Sequence, residues 1–453
     1  MRRKRTEKIH PTVKKHHTLP LVFEQFLNAF YDLAADDYRM SPLKKYDLIV
    51  CGAGAAGVFA AIRLAEIRPE SRILVLEKSP RMLEKVKVSG GGRCNITNAE
   101  GDYDRFAEAY PRGRHFMRKA LRVFGPREML DWLQEKNLDT HTEADGRIFP
   151  ISNSSASVIQ CFANQMTDSG IEVLLKTALK SIKYSNNEIE VATEGETYLT
   201  RTLLIASGGN SIQPVKSLTQ PFGIGFEEPV PSLFTFNCID KSFTKLMGLA
   251  TDAEVSIAGT NFCERGPLLI THWGFSGPPV LRCSAYAARY LADKSYHFHV
   301  KICWLPDFRQ DDLRKLFLEQ KQNSGKKMIK NSLPELLPAR LREAIMLRAG
   351  CDITMNWADL PLKTLNKLVE TFTADSWEIK GKTTFKEEFV TCGGIKLNEL
   401  DPGSMMLKKC PGIFAAGEII DVDGITGGFN FQNAWTSAEI AARGISSFLQ
   451  RSV

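Results

Sequence analysis

Long apolar runs, paired cysteines and a broad excess of one charge are all missing from this chain of 453 residues. The apolar stretch 48–62 is fifteen residues long and contains three glycines, short of the roughly 18 residues that a membrane span requires. No transmembrane helix and no membrane partner are expected. The ten cysteines, at 51, 94, 161, 238, 263, 283, 303, 351, 392 and 410, form no C-x-x-C pair and no zinc-like doublet. Neither a metal site nor a disulfide framework is read from them, and a reducing compartment fits best. The first 45 residues carry no apolar core followed by a small-residue cleavage site, so no signal peptide is expected. The expected location is the cytoplasm.

Charge is scarce in a second sense. Residues 1–17 hold seven Lys/Arg and one acid, which leaves 52 basic and 51 acidic residues in the rest of the chain. A body this close to neutral argues against a general nucleic-acid groove, because binding a polyanion needs a concentrated basic surface. Only the basic arm leaves a nucleic-acid partner open, and a solvated leader is the plainer reading. Residues 1–45 are read as a basic extension ahead of the fold, with Met40 as an alternative start. No period of 20–50 residues recurs, which sets repeat architectures aside.

What is present is material for two or three packed domains, with 43% hydrophobic and 25% charged residues. YDLIVC at 46–51 reads as a buried strand, GAGAAG as a loop, VFAAIRLAEI as a helix and RILVLEK at 72–78 as a second strand. This is a β-α-β unit opening a parallel sheet. Residues 114–137 and 157–168 read as helical, and 171–206 alternate as antiparallel strands do. From 233 to 308 the pattern is β-rich, and 309–350 is charged, Leu-rich and helical. The closing stretch reads as strand, glycine-rich loop and a helix starting near Asn433. The expected domains are 46–232, a β-rich insert at 233–308, a small helical domain at 309–370, a return to the β-rich domain at 371–389, and the second part of the first domain at 390–453.

Three clusters carry chemistry. Gly52, Gly54 and Gly57 form G-x-G-x-x-G between strand and helix, with Glu77 at the tip of the next strand. Gly52 permits a tight turn, Gly54 lets a diphosphate approach the backbone, and Gly57 lets the helix sit close to the strand. The helix N-terminus at Ala55 and Ala56 offers N–H groups and a positive dipole end to phosphate. Glu77, followed by Lys78, accepts the ribose hydroxyls and repels a 2′-phosphate, so the dinucleotide is NAD or FAD and not NADP.

SGGGRCNITN at 89–98 brings Gly91, Gly92, Arg93, Cys94 and Asn95 to a loop after the ribose strand, where bare amides and a guanidinium fork meet a ligand. Cys94 is weighed as a redox thiol lowered by Arg93, against simple packing. In the third cluster, Gly417 and Glu418 follow the strand IFAA, and Gly427, Gly428, Asn430, Gln432, Asn433 and Ala434 lead into a helix whose N–H donors aim at a cofactor ring. Glu418 is placed to accept hydroxyls of a sugar-alcohol chain. Ser207, Gly208 and Gly209 end a strand beside the adenine portion, and Ala178 completes the cofactor-binding set.

These motifs, with DGRIFP at 145–150 and THWGFSGP at 271–278, occur in an order that resembles the bacterial FAD-dependent, BaiN-like and aminoacetone-oxidase-like oxidoreductases over about 46–453. The resemblance implies an α/β fold: a Rossmann-like FAD-binding domain split in sequence, with an inserted β-barrel-like domain and a small helical domain. It also implies FAD, not NAD, in the first fingerprint, Glu418 near the ribityl chain and residues 427–434 beside the flavin ring. Many related flavoproteins have Asp where this chain has Glu418.

With no second β-α-β acid unit, NAD(P)H is expected only as a transient visitor to the cleft. Arg93 and His272 are the candidate catalytic residues for substrate or proton handling, although a single His without a partner defines no mechanism. The expected activity is hydride transfer between a small organic substrate and the flavin, with NAD(P)H or O₂ as redox partner. A flavin-dependent RNA-modifying enzyme and a non-catalytic FAD-binding protein are the alternatives. The oligomeric state stays open.

Overall fold

The computed structural model describes residues 43–185, 188–332, 337–383 and 390–451. All but the last three residues of the basic extension at 1–45, and the last six of the expected β-rich return at 371–389, lie outside them.

β1 (Lys45–Cys51) is fully buried from Leu48 to Val50, as a strand covered on both faces must be. It runs through Gly52–Gly54 into α1 (Ala55–Ile67) and then to β2 (Ile73–Leu76), which pairs with β1 in parallel. α2 (Glu84–Gly92) follows, and three short strands, β3 (Thr97–Asn98), β4 (Thr140–Thr142) and β5 (Arg147–Pro150), make a separate small sheet. β6 (Glu172–Leu174), β7 (Ser181–Ser185), β8 (Glu188–Ala192) and β9 (Thr197–Ile205) complete the main sheet in the order β6-β2-β1-β9-β8-β7.

The region 171–206 therefore differs from its expected pattern. β7, β8 and the first half of β9 form an antiparallel meander, whereas β6 pairs with β2 and β9 with β1 in parallel. The reason is legible in β9 itself: Thr202–Ile205 are buried in succession, a pattern for a central strand rather than a half-solvated one. The expected helix over 114–137 is two helices, Arg114–Ala120 and Pro126–Glu135. Pro126 disfavours helical geometry at Gly125 before it and starts the second helix.

The chain leaves this domain along β10 (Phe226–Ser232). It then builds a closed barrel from β11 (Thr235–Cys238), β12 (Ala250–Ile257), β13 (Cys263–Ile270), β14 (Gly274–Ser276), β15 (His297–Cys303) and β16 (Asp375–Thr383). Side chains alternate as a barrel requires: Phe298, Val300 and Ile302 of β15 are buried, whereas His297, His299 and Lys301 face out. α3 (Pro278–Tyr286) packs on the barrel. α4 (Gln310–Asn323), α5 (Ala339–Arg348) and α6 (Leu362–Ala374) lie between β15 and β16 in sequence. Their junction with the barrel buries Asp375, which accepts from Trp304 Nε1 at 3.1 Å, Trp377 Nε1 at 2.7 Å and Arg348 Nε at 2.7 Å.

The return strand β17 (Val390–Ile395) pairs antiparallel with β10, so the outgoing and returning chains form one ribbon. β18 (Ile413–Ala415) then joins the main sheet beside β9, and α7 (Phe429–Arg451) packs on α1. The two helices are pinned by a buried carboxylate: Glu439, fully buried, accepts from Arg63 Nε at 2.6 Å. α7 begins four residues before the expected start at Asn433. The fold is thus a Rossmann-type α/β sheet domain, split in sequence, with an inserted barrel. Among the described residues no helix is long and apolar enough to cross a membrane.

Candidate cofactor site and active site

The loop after β1 is shaped by what its glycines must avoid. Gly52 has φ +110°, and a Cβ there would stand 2.6 Å from Ala206 O; at Gly57 a Cβ would stand 1.9 Å from Gly52 O. Neither position tolerates a side chain without moving backbone. Gly54 is the opposite case, since a Cβ there would meet nothing within 4 Å. It faces the open side of the loop, where a ligand has room to approach. α1 starts without a side-chain cap, so its first N–H groups are left for a ligand or solvent.

Glu77 is oriented toward this loop. One carboxylate oxygen accepts from Ala53 N at 2.8 Å, and the other accepts from Ser79 N at 2.8 Å and from Ser79 Oγ. The glycine run that closes α2 leaves helical geometry and forms a turn, with Gly90 and Gly91 at φ +58° and +68°. Asn95 ties this turn to its neighbours: with its amide oriented so that every atom meets a complementary partner, it donates to Thr97 O (3.0 Å) and Ile148 O (3.3 Å) and accepts from Gly428 N (2.9 Å). That last bond joins the second glycine cluster to the third.

Glu418 lies just past β18, next to Gly417, which abuts Ala56 at the start of α1. Its Oε1 accepts from Thr391 N at 2.9 Å, and its Oε2 meets Lys85 Nζ at 2.5 Å. The loop before α7 is clamped by Asn430, which accepts from Gly424 N and donates to Gly424 O, both at 2.8 Å.

These groups surround one cavity of about 570 Å³, within the ordinary range for cofactor and ligand sites. It brings together Gly52, Gly54, Ala55, Ala56, Glu77, Lys78, Gly91, Asn95, Ser207, Gly208, Gly209, Gly417, Glu418, Gly427, Gly428, Asn430, Asn433 and Ala434. Two of its polar atoms, Ser207 Oγ and Asn433 Oδ1, are buried without a partner. Buried polar atoms are normally satisfied, so a pair facing one cavity points to a ligand that supplies the missing bonds. A helix start with open N–H groups, two carboxylates and two unsatisfied polar atoms along one cleft fit FAD.

Seven of the residues singled out from sequence do not line this cavity. Gly57 serves the close helix–strand contact. Gln432 is buried and accepts from Thr97 Oγ1 at 2.6 Å, which pins α7 to β3. Gly92 lies in the turn, and Ala178 follows Thr177, whose N–H donates to Glu77 O at 2.8 Å beyond the edge of the site. Arg93 turns to Glu143 Oε1 at 2.6 Å and stacks over Phe149 at 3.9 Å. His272 is exposed beside Trp273, its ring centroid 3.8 Å from the indole's. Neither catalytic candidate therefore faces the cavity. Cys94 is fully buried, and burial pushes its thiol up to about 12, so the redox-thiol reading is withdrawn.

Sequence reading missed the barrel's share of the wall. Leu233, Thr235, Ser276, Leu281 and Thr383 line the cavity from that side, facing Ile425, Thr426 and Phe431 of the returning chain. Three hydrogen bonds around Arg112 and Asp423 hold this wall against the sheet domain. Arg112 donates from Nε to Asp423 Oδ1 at 2.6 Å and from Nη1 to Ala285 O, and Ser232 Oγ donates to Asp423 Oδ2 at 2.9 Å. Burial pushes the Asp423 carboxyl above its ordinary range, opposed by the Arg112 guanidinium. Only THWGFSGP hinted at this wall, through Ser276. Among the described residues no group of three or more His, Cys, Asp or Glu side chains could hold a metal ion.

Fold and cavity together define the class: an FAD-dependent oxidoreductase on a Rossmann-type sheet. The family described as "HI0933-like protein Rossmann domain" matches residues 46–444, and the chain belongs to that family. It is 29% identical to the ribosomal RNA dihydrouridine synthase of Escherichia coli (strain K12), over 88% of this chain and 98% of that one. It is 25% identical to the 3-dehydro-bile acid delta(4,6)-reductase of Clostridium scindens, over 87% of this chain and 97% of the relative. A solved structure of 3-ketosteroid-delta4-(5alpha)-dehydrogenase from Rhodococcus jostii RHA1 aligns with 90% of this chain and 98% of its own at 13% identity, with a TM-score of 0.47.

Proposed function

We propose that the protein reduces a carbon–carbon double bond conjugated to a carbonyl group in a small organic substrate, with FAD as the hydride carrier. The observation that carries this reading is the continuity of the cavity from the glycine loop of β1 to the barrel wall, which sets a substrate surface against the flavin end of the cofactor site. The relatives' names support the bond type. Dihydrouridine is uridine saturated at a double bond conjugated to a carbonyl, and a 3-dehydro delta(4,6) steroid has its double bonds conjugated to a ketone.

Bound FAD supplies reversible two-electron chemistry. Gly54 and the first turn of α1 hold the diphosphate, Glu77 the ribose and Glu418 the ribityl hydroxyls. Leu233, Leu281 and Phe431 exclude water and give a flat substrate an apolar seat, while Ser276 and Thr426 offer hydroxyl donors to its carbonyl oxygen. Such donors polarise the conjugated system and stabilise the enolate that forms as hydride arrives. NAD(P)H would supply the hydride equivalents, and a solvent proton taken up by the enolate would complete the saturation.

A second reading, that the double bond is carried by RNA, is favoured by the name of the 29% identical relative and by the seven Lys/Arg in residues 1–17. The test is anaerobic: NADH or NADPH should bleach the flavin, and cyclohex-2-enone should restore its oxidised spectrum. A flavin that no nicotinamide reduces, and that neither the enone nor a uridine-containing RNA reoxidises after photoreduction, would contradict both readings.

A further inference from the structure

Among the described residues four cations line the cavity, and they fall into two groups. Lys78, Arg81 and Lys85 follow β2 closely, beside Glu77 and the glycine loop. Arg147 arrives separately, on β5, within the DGRIFP segment whose role the cofactor leaves unexplained. Pairing of β5 with β3 sets Arg147 opposite Asn98, and Asn98 Nδ2 donates to Gly427 O at 3.1 Å. Arg147 is therefore tied to the loop before α7, where Thr426 and Gly427 line the cavity, and not to the diphosphate end.

The guanidinium is held in place. Its Nε donates to Asp145 Oδ2 at 2.7 Å, and its Nη2 lies 2.8 Å from Glu143 Oε2. Glu143 takes Arg93 Nη1 on its other oxygen at 2.6 Å. Two guanidinium groups thus meet two carboxylates, and their charges balance. With Nε and Nη2 committed to the two acids, Nη1 is left for a ligand. The cluster offers the cavity an oriented N–H edge, and donors fixed before reaction stabilise developing charge without reorganising. Balanced charge suits a donor to a transient oxyanion better than a permanent anchor for an acidic group.

We infer that Arg147 is a catalytic residue, donating from Nη1 to the carbonyl oxygen of a conjugated substrate and holding the charge that gathers there. The inference rests on the enone reduction proposed above. In that reaction the β-carbon receives a hydride from reduced FAD, and the π pair shifts to the carbonyl oxygen. A solvent proton at the α-carbon completes the saturation, and NAD(P)H supplies the two electrons. Ser276 and Thr426 are neutral donors. A guanidinium makes a stronger, charge-assisted bond to the enolate oxygen than to the ketone it came from, so its effect falls on the barrier.

The test uses the FAD-loaded full chain, photoreduced without oxygen and mixed with cyclohex-2-enone, for wild type, Arg147→Gln and Arg147→Lys. At saturating enone, flavin reoxidation should slow about a hundredfold or more in Arg147→Gln. FAD content, and the enone concentration that gives half the maximal rate, should stay near wild type. Arg147→Lys should recover part of the rate. A second readout needs no turnover: 4-nitrophenolate, whose charge sits on a conjugated oxygen, is followed by equilibrium dialysis against the oxidised holoenzyme. Its affinity should fall about tenfold to a hundredfold in Arg147→Gln, while neutral cyclohexanone binds both chains alike. An Arg147→Gln chain as fast as wild type, or slowed only through weaker enone binding or lost FAD, overturns the proposal. If Arg147→Gln does not fold, Asp145→Asn at an exposed position takes its place. Releasing Nε should slow reoxidation, though less, and a wild-type rate overturns the proposal. A wild-type chain that the enone does not reoxidise, but that binds 4-nitrophenolate through Arg147, contradicts the enone reading and supports the oxyanion donor.

Discussion

The two walls of the cavity are made of different material. The sheet wall is backbone: glycines at 52, 54, 427 and 428, helix N–H groups and two acids at strand ends. The barrel wall is side chain: leucines and hydroxyls contributed by β11, β14, β16 and α3. A diphosphate is recognised by main-chain geometry, which constrains sequence locally and tightly. A substrate is recognised by shape and a few hydroxyls, which many sequences provide. On the proposed function, the first wall fixes the chemistry and the second chooses what is reduced.

Four variants test that division, the largest effect first. Gly54→Val should abolish flavin retention while leaving the fold intact, because a Cβ at Gly54 meets no protein atom within 4 Å and fills only ligand space. The check is visible flavin absorbance alongside an unchanged melting temperature of the FAD-free chain; a fully yellow Gly54→Val would break the comparison at its root. Asp423→Ala comes second because Asp423 and Arg112 tie the walls together. Leaving Arg112 buried and uncompensated should cost about 3–5 kcal/mol, seen as a lower denaturant midpoint.

On the barrel side, Leu281→Arg should keep bound FAD and its spectrum but raise KM for an enone substrate about tenfold or more, since an unpaired charge enters an apolar seat. Equal loss of flavin would erase the distinction between the walls. The smallest effect belongs to Cys94. With its thiol pushed up to about 12 by burial, hardly any thiolate forms at neutral pH. Cys94→Ala should leave flavin content and turnover nearly unchanged, and mass spectrometry should find Cys94 unalkylated in the folded protein.

The same contrast explains how much was legible beforehand. The β1–loop–α1–β2 unit and Glu77 could be read because their spacing follows from one turn of backbone and one crossover. The barrel was visible only as a change in composition, because its closure depends on pairing β11 with β16, whose residues Thr235 and Thr383 are far apart in sequence. Arg93 looked like a ligand fork, yet the hairpin β4–β5 brings Glu143 and Phe149 to it and turns it away. The pairing of Lys85 with Glu418 was not read from sequence, because only the returning chain folds Glu418 against it. Parallel pairing of β9 was missed because the alternation of its first half masks the continuous burial of its second.

The central claim is that the glycine loop after β1 grips the diphosphate of a flavin. Its most direct measurement is the flavin released on denaturing the purified full-length chain, identified by chromatography and counted against protein. FAD is expected at one per chain, and none from Gly54→Val. A colourless chain that takes up no FAD on reconstitution, or a Gly54→Val variant that carries it in full, would contradict the account.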